Sequence, residues 1–373
     1  MKIERIEPIA VSLPMKKPIV MAGAAIARAE NVLVRIAAEG GMTGWGEAAE
    51  APTMTGETVE SMVAAVNLMA PALIGREAED IAGASAAMAG RMYGNSGAKA
   101  AIDMALHDLV ARATGRPVYG LLGGRKRARI AILGVIGNGT LDGDLREAEA
   151  MKAGGFRSFK IKVGGADVKA DAERTRALCE LLGPELLLCS DANQGYSVAN
   201  AIAYVRAVRG AGLTFFEQPV LANDVMGMAA IAAEADFRIG ADESIHSLDD
   251  IRRHHEQKAA HGASLKTIKL GGMGGVMAAG RLCHELGMAI NVSSKAGESS
   301  LACAAALHLA AALPSLDWGL TINSEGLSGD IVTRPIRIER GHATVPEGPG
   351  LGVEVDEALV ARFRRDVPVR RVA

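Results

Sequence analysis

From about residue 129 onward the chain alternates short, almost wholly apolar runs with longer stretches that are apolar only every three or four residues. Runs without a polar face read as strands buried on both sides, and the longer stretches as amphipathic helices between them. The pattern predicts strands at 130–135, 158–163, 186–191, 214–217, 237–241, 264–268, 288–292 and 317–321. Eight such strands in series, with helices between, predict a closed parallel barrel. Upstream the pattern differs. Lys2–Leu13 alternates and ends at Pro14, an edge strand, while 31–38 and 43–48 form a hairpin across Glu39-Gly40-Gly41. Met15–Ala29, rich in Gly, Ala and Met, and Glu50–Thr58 fit neither period and read as loops, either turns or lids over a site. Beyond Glu57 the period becomes helical, with Ala98, Ile102, Ala105 and Leu109 on one stripe, and the helix stops near Gly115-Arg116-Pro117.

After Asn323 the alternation breaks. Pro335–Glu339 and His342–Val345 resemble a further hairpin, followed by a glycine-rich turn and a basic tail. Too short to fold alone, this tail is expected to return to the N-terminal meander. The fold expected is therefore α/β: a (β/α)7β TIM-like barrel over 126–323. An α+β capping domain over 1–125 is completed by the C-terminal segment 324–373.

Charge changes the picture only by exclusion. The 41 basic and 43 acidic residues nearly cancel, so nothing favours nucleic acid or an anionic membrane, both of which call for clustered positive charge. No uninterrupted apolar run reaches the ~18 residues of a membrane span, and the first residues lack the apolar core of a signal peptide. Cys179, Cys189, Cys283 and Cys303 show no CxxC spacing and sit inside apolar patterns, as buried reduced thiols of a cytoplasmic protein do.

The chemistry lies where the barrel strands end. Lys162, Asp191, Glu217, Asp242 and Lys266 are separated by 29, 26, 25 and 24 residues, one charged group per βα unit. Asp191, Glu217 and Asp242 end neighbouring strands, where three converging carboxylates repel one another unless a cation lies between them. Hard oxygen donors suit Mg²⁺, with Mn²⁺ the alternative, better than Zn²⁺. The competing reading makes each a helix N-cap; it is open to Asp191 or Asp242 alone but does not suit Glu217, between Phe-Phe and Gln-Pro. Lys160 and Lys162 share the interior face of one strand, where mutual repulsion is expected to leave one amine neutral and available as a base. Lys266 ends a strand four places on, so Lys162 and Lys266 face each other across the mouth. A carboxylate substrate held at the cation has its α-proton acidified. One lysine removes that proton, and the other delivers or withdraws it at the opposite face. His107, alone on a helix far from the acidic strand ends, reads as structural.

The motifs Lys160-x-Lys162, Asp191-Ala-Asn193, Glu217-Gln-Pro219, Asp242-Glu-Ser244 and Lys266-x-x-Lys269-x-Gly-Gly272 resemble the muconate lactonizing subgroup of the enolase superfamily, whose sites pair a Lys or His base with Mg²⁺. The 101–108 helix and Leu121-Leu-Gly-Gly124 resemble its capping-domain helix and linker. The resemblance implies that Lys162 and Lys266 are the acid/base pair, tuned by Lys160. It also implies that Asp191, Glu217 and Asp242 bind Mg²⁺, with Asn193, Gln218 and Lys269 in support. Glu298, after the seventh strand, is a further candidate, or alternatively an acid stabilised at a helix N-terminus. The implied partner is a small carboxylate, the implied assembly a homo-oligomer. Dipeptide epimerases of the subgroup carry Asp-x-Asp after the eighth strand; here that place reads Trp318-Gly-Leu-Thr-Ile-Asn323, which argues against dipeptides. Thr321 likewise departs from the acidic residue usual in muconate lactonizers. The lid loops, with Met21, Thr53, Met54 and Thr55, suit a small, partly apolar acid.

The expected reaction is a cycloisomerisation, or a racemisation or epimerisation of an amino-acid derivative. The alternative is loss of water from a hydroxy acid such as a hydroxyproline. Two other classes compete: a Schiff-base aldolase with Lys162 as nucleophile, against which the three carboxylates argue, and a non-catalytic barrel.

Overall fold

The computed structural model describes residues 1–21, 24–137 and 139–367, and side chains outside 19–26. The side chain of Met21 and the last residues of the basic tail therefore lie outside what is described.

The N-terminal layer is a three-stranded antiparallel sheet of β1 (Ile3–Met21), β2 (Ala24–Ala38) and β3 (Thr43–Ala49), in that order. The loop expected at Met15–Ala29 is instead a continuation of the β1–β2 hairpin, with Ile19 opposite Ile26 and Met21 opposite Ala24. The register shifts between Pro14 and Ile19, where Pro14 and Pro18 supply no N–H to the ladder. Glu50–Thr58 is irregular, as expected.

Period two decides what each face of this sheet meets. Val32, Val34 and Ile36 of β2 pack with helices α1 (Val59–Met69), α2 (Ile81–Arg91) and α3 (Ser96–Ala113), whereas Ala29 and Leu33 belong to the barrel-side core. On β3, Trp45 and Glu47 face the barrel, and Gly44 and Gly46 face α3. A Cβ on Gly46 would lie 2.0 Å from the Ala101 carbonyl, so glycine is required for α3 to lie flat on the sheet. The Glu57 carboxylate accepts from Gly97 N and Ala98 N at 2.8 and 3.0 Å, closing the α3 N-terminus.

The barrel follows, with elements β4 (Arg129–Ala131), β5 (Leu133–Ile136), α4 (Leu141–Ala153), β6 (Ser158–Lys162), α5 (Val168–Leu182), β7 (Leu187–Asp191) and α6 (Val198–Ala207). Then come β8 (Phe215–Glu217), α7 (Val225–Glu234), β9 (Arg238–Ala241), α8 (Leu248–Glu256), β10 (Gly262–Leu265), α9 (Thr267–Leu270), α10 (Met273–Glu285), β11 (Ala289–Ser293), α11 (Ser300–Ala312) and β12 (Leu320–Thr321). Strands β5 to β12 pair in sequence order, all parallel, and a parallel bridge between Ile132 and Leu320 joins the two ends. Within the ring, Phe215 stacks on Trp318 at 3.9 Å and closes the floor. The sixth barrel strand ends at Leu265 rather than 268, and Lys266 is the extended N-cap residue of the single-turn α9.

The first predicted strand is divided in role: β4 pairs antiparallel with β13 (His342–Thr344), and only β5 enters the ring. The C-terminal segment serves both parts. β13 stays on the barrel, while α12 (Glu357–Phe363) and its flanks reach the N-terminal sheet, with Arg364 bridging Val11 and Arg365 pairing with Glu30 at 2.9 Å. Among the described residues no helix is long and apolar enough to cross a membrane.

Candidate active site

Parallel register sets the site. Lys162 is the Cα partner of Asp191, and Asp191 of Glu217; partners in a parallel pair project to the same side. Asp191, Glu217 and Asp242 are 1, 0 and 1 % exposed, forming one buried carboxylate wall at the C-terminal ends of β7, β8 and the strand beside them. None is a helix N-cap. The helices that follow are capped by Ser197, Asp224 and Ser247, which disposes of that reading for all three.

Four lysines meet this wall. Lys160 Nζ donates to both Glu217 oxygens at 2.8 and 2.7 Å and lies 3.5 Å from Asp191. Lys162 Nζ donates to Asp191 Oδ2 at 2.7 Å and Asn193 Oδ1 at 2.6 Å. Lys266 donates to Asp242 Oδ2, and Lys269 to Asp242 Oδ1 at 2.7 Å and the Ser264 carbonyl at 2.9 Å. Lys162 and Lys266 flank the wall from β6 and from the end of β10, four strands apart.

The electrostatics differ from simple repulsion between lysines. Burial works against the Lys160 ammonium, but Glu217 and Asp191 outweigh it and raise its pKa well above the ordinary value. The expectation that repulsion leaves one amine neutral is thus corrected for Lys160: it is paired with Glu217 and Asp191, and Lys162 with Asp191. Burial likewise opposes the Lys266 charge, and Asp242 and Glu243 raise it nonetheless. Burial pushes the Asp242 carboxyl up, yet Lys266 and Lys269 hold it far below the usual range.

The supporting residues lie where the motifs put them. Gln218 Oε1 accepts from Asp242 N at 2.9 Å and from the Ser244 hydroxyl at 2.9 Å, fixing the chain that carries Asp242. Asn193 bridges Lys162 to Glu243, donating to Glu243 Oε1 at 3.0 Å. Asn193, Gln194 and Gln218 all have positive φ, at 42, 68 and 35°, a concentration of non-glycine strain of the kind found at functional sites.

Glu298 stands apart from the wall. It closes the turn after β11, accepting from Lys295 N at 2.8 Å, and its Oε1 has no partner. Burial pushes its carboxyl up to about 8. The helix-terminus role weighed for it belongs to Glu47, which accepts from Ser299 N and Ala302 N at the head of α11. His107 is buried, its Nδ1 lying 2.9 Å from the Asp103 carbonyl, beside a cavity of about 730 Å³ under α2 and α3 and away from the wall. Glu243 was not singled out by the sequence. It is buried next to Asp242, with Oε2 unpartnered, and burial and Asp242 raise its carboxyl to about 7; its only signal was the Asp-Glu pair itself.

Among the described residues no three acidic, His or Cys side chains already stand as an ion's ligand set, because each wall carboxylate is turned to an ammonium. The donor set nonetheless fits a hard divalent cation: three buried carboxylates, all oxygen donors, at the ends of successive strands.

A profile described as mandelate racemase / muconate lactonizing enzyme, N-terminal domain, matches residues 5–123, and one described as enolase C-terminal domain-like matches 144–359. The chain belongs to the mandelate racemase/muconate lactonizing enzyme family of the enolase superfamily. It is 32 % identical over 373 residues to chloromuconate cycloisomerase CbnB of Cupriavidus necator, covering 98 % of this chain and all of that one. It is 31 % identical to an N-succinyl-L-Arg/Lys racemase of Bacillus cereus, over 96 % of each chain. The crystal structure of a dipeptide epimerase from Cytophaga hutchinsonii, complexed with Mg and D-Ala-L-Val, superposes with a TM-score of 0.91 at 30 % identity, over 97 % of this chain and 98 % of that one. These relatives are isomerases, and the chain takes its place among the isomerases of the superfamily.

Proposed function

We propose that this enzyme abstracts the proton α to a substrate carboxylate, with Lys162 and Lys266 as the base and acid and Mg²⁺ held by Asp191, Glu217 and Asp242. The reaction would be the cycloisomerisation of an unsaturated acid or the racemisation or epimerisation of an amino-acid derivative. The observation that carries this reading is the placing of two lysines four strands apart on either side of a buried carboxylate wall. The activities of the cycloisomerase, racemase and epimerase relatives support it.

Mg²⁺, which Asp191, Glu217 and Asp242 would hold, would supply positive charge to the substrate carboxylate and so acidify its α-carbon. The chain's own groups do the rest. Two of the hydrogen-bonding directions of Lys162 Nζ are taken by Asp191 and Asn193; the third is left for the substrate, and Lys162 is the most exposed of the four lysines, 33 % by its side chain. Lys160, bound to both oxygens of Glu217, holds that carboxylate in place and touches no reacting atom in this scheme. Lys269 and Gln218 fix Asp242 from two sides, so the opposite lysine, Lys266, is aimed by a rigid neighbour. Thr321 stands where a dipeptide epimerase would need a carboxylate for the substrate ammonium, which directs the reading away from free dipeptides.

The same reading divides the chain into a capping domain (1–125), a catalytic barrel (126–323) and a C-terminal segment (324–373), in a cytoplasmic homo-oligomer. The test is proton NMR in D₂O on a panel of muconates, N-acyl amino acids and hydroxyprolines, with Mg²⁺ and with EDTA. Loss of an α-proton signal that EDTA abolishes supports the reading. Exchange that is indifferent to EDTA, or a trapped borohydride adduct at Lys162, would replace it.

A further inference from the structure

The two lysines that flank the wall are mounted differently. Lys162 is held by the barrel alone. Its carbonyl accepts from Arg174 Nη2 at 2.9 Å, and just beyond it Gly164 N and Gly165 N donate to Asp171 Oδ2 at 3.0 and 2.8 Å. Arg174 and Asp171 both lie on α5, the helix that follows β6. Lys266 stands past the end of its strand, as the N-cap residue of the four-residue α9, which also carries Lys269. A single turn of helix is marginal by itself, so its place in the site must come from what packs on it.

What packs on it is the capping domain. Ile268 is fully buried in the core that the N-terminal sheet forms with α1, α2 and α3. Among the described residues it is the one buried member of that core drawn from the barrel. Lys266 and Lys269, from the same turn, reach the other way and bond Asp242. The turn therefore has a face in each domain, with the lysines on one and Ile268 on the other.

Its far end is tied to the same domain. The next helix, α10, has Gly272 as its N-cap and so no capping side chain of its own for its first N–H groups. Asp103 of α3 supplies the acceptor from 170 residues away, its Oδ1 taking Met273 N at 2.5 Å. Asp103 is itself buried, and His107 Nδ1 lies 3.3 Å from the same oxygen. A Cβ on Gly272 would lie 2.3 Å from this carboxylate, so the backbone that joins α9 to α10 passes against it and only glycine fits there.

We propose that Asp103 of the capping domain is a positioning residue for Lys266. With Ile268 seated in the capping core, its carboxylate fixes the α9–α10 junction and so aims one of the two lysines, and only that one. This rests on the two-lysine reading and adds to it that one face of the substrate is served from the barrel alone and the other through the capping domain. A reacting group displaced by ~1 Å loses ~100-fold in rate, so a hold of this kind is visible in the chemistry although Asp103 touches no reacting atom.

Two readouts on Asp103→Ala test this. The first needs no substrate: backbone amide exchange of the Mg²⁺-loaded enzyme, followed by mass spectrometry. Loss of a buried bond to a carboxylate should speed exchange within 267–276 by ~10- to 100-fold and leave 158–165 unchanged. Asp103→Asn, whose amide oxygen still accepts, should restore most of the protection. The second is the initial rate of α-proton exchange in D₂O with each enantiomer of the N-acyl amino acids in the panel. The enantiomer that Lys162→Ala still exchanges is the one served by Lys266. Its exchange should fall by ~10- to 100-fold in Asp103→Ala, while that of its mirror image stays within about twofold. Unchanged amide exchange within 267–276 overturns the proposal, and so does an equal loss at both enantiomers, which is what a general loss of fold produces. A loosened turn in an enzyme whose wild type exchanges no α-proton across the panel leaves the hold on Lys266 standing and sinks the proton-abstraction reading. Exchange of both enantiomers by the wild type, with the turn unmoved in Asp103→Ala, does the reverse.

Discussion

Glu47 joins the two halves of the molecule, and its removal has a calculable effect. Its buried carboxylate accepts from Asn31 Nδ2 at 2.7 Å, Ser299 N at 2.9 Å, Ser299 Oγ at 2.6 Å and Ala302 N at 3.1 Å. Glu47→Ala breaks four buried hydrogen bonds, leaving Ser299 N, Ser299 Oγ and Ala302 N unmet and Asn31 Nδ2 with the Gly297 carbonyl alone, a loss on the order of 6 kcal/mol. Against this, burial raises the carboxyl from 4.5 to about 6, so keeping it ionised at neutral pH opposes folding by ~2 kcal/mol. The net expectation for Glu47→Ala is a loss of ~4 kcal/mol. Glu47→Gln should lose less, since its amide oxygen still accepts. Urea unfolding followed by far-UV dichroism and by tryptophan fluorescence reads this from both sides, because Trp45 lies on β3 beside Glu47 and Trp318 in the barrel floor. A loss in Glu47→Ala below ~1 kcal/mol would refute the idea that this carboxylate carries the contact between sheet and α11.

Three further outcomes follow from named contacts. Glu298 is raised to about 8; a carboxyl raised on folding stabilises below its unfolded value and loses that contribution as pH climbs through the folded one. Wild-type stability should therefore fall by up to ~5 kcal/mol between about pH 4.5 and 8 on account of this group, and Glu298→Gln should flatten that fall. An unchanged slope in urea curves at pH 5.5, 7 and 9 would sink the assignment. His308 is pushed down to about 4 by burial, so its contribution is full above its unfolded value of 6.5 and is lost as pH falls from there to about 4. An acid titration of stability in which His308→Asn shows the same decline would contradict this. Finally, a Cβ at Gly272 (φ 131°) would lie 2.3 Å from the Asp103 carboxylate, whereas Gly287 (φ 67°) faces open space. Gly287→Ala should lose ~1 kcal/mol from backbone strain alone and Gly272→Ala at least twice that; equal losses by thermal melting would show that the Asp103 contact is unimportant.

The barrel and its charged rim were legible because both follow from short periods. A strand buried on both faces is an apolar run, and a residue at its C-terminal end faces the mouth whatever the neighbouring chain does. Lys162, Asp191 and Glu217 were readable for that reason, and Asp242 and Lys266 from the same spacing, although β10 stops one residue before Lys266. The β1–β2 extension was not readable: prolines and small residues look like a loop, and its order comes from backbone pairing that side chains do not announce. Glu47 was illegible because its partner, Ser299, lies 252 residues away. The neutralisation of Lys160 is another such case, since period two places two lysines together and says nothing of the carboxylates each one meets.

The central claim, that two lysines on opposite faces share one α-carbon, is tested most directly by proton NMR in D₂O with each enantiomer of an exchanging substrate, using Lys162→Ala and Lys266→Ala. For a racemising acid, each variant should lose interconversion by ~10³-fold or more, while each still exchanges the α-proton of the one enantiomer that faces its surviving lysine. For a cycloisomerised acid, one variant should lose lactone formation and the other should retain it in part. Exchange of both enantiomers by either single variant, at rates near wild type, would contradict the account.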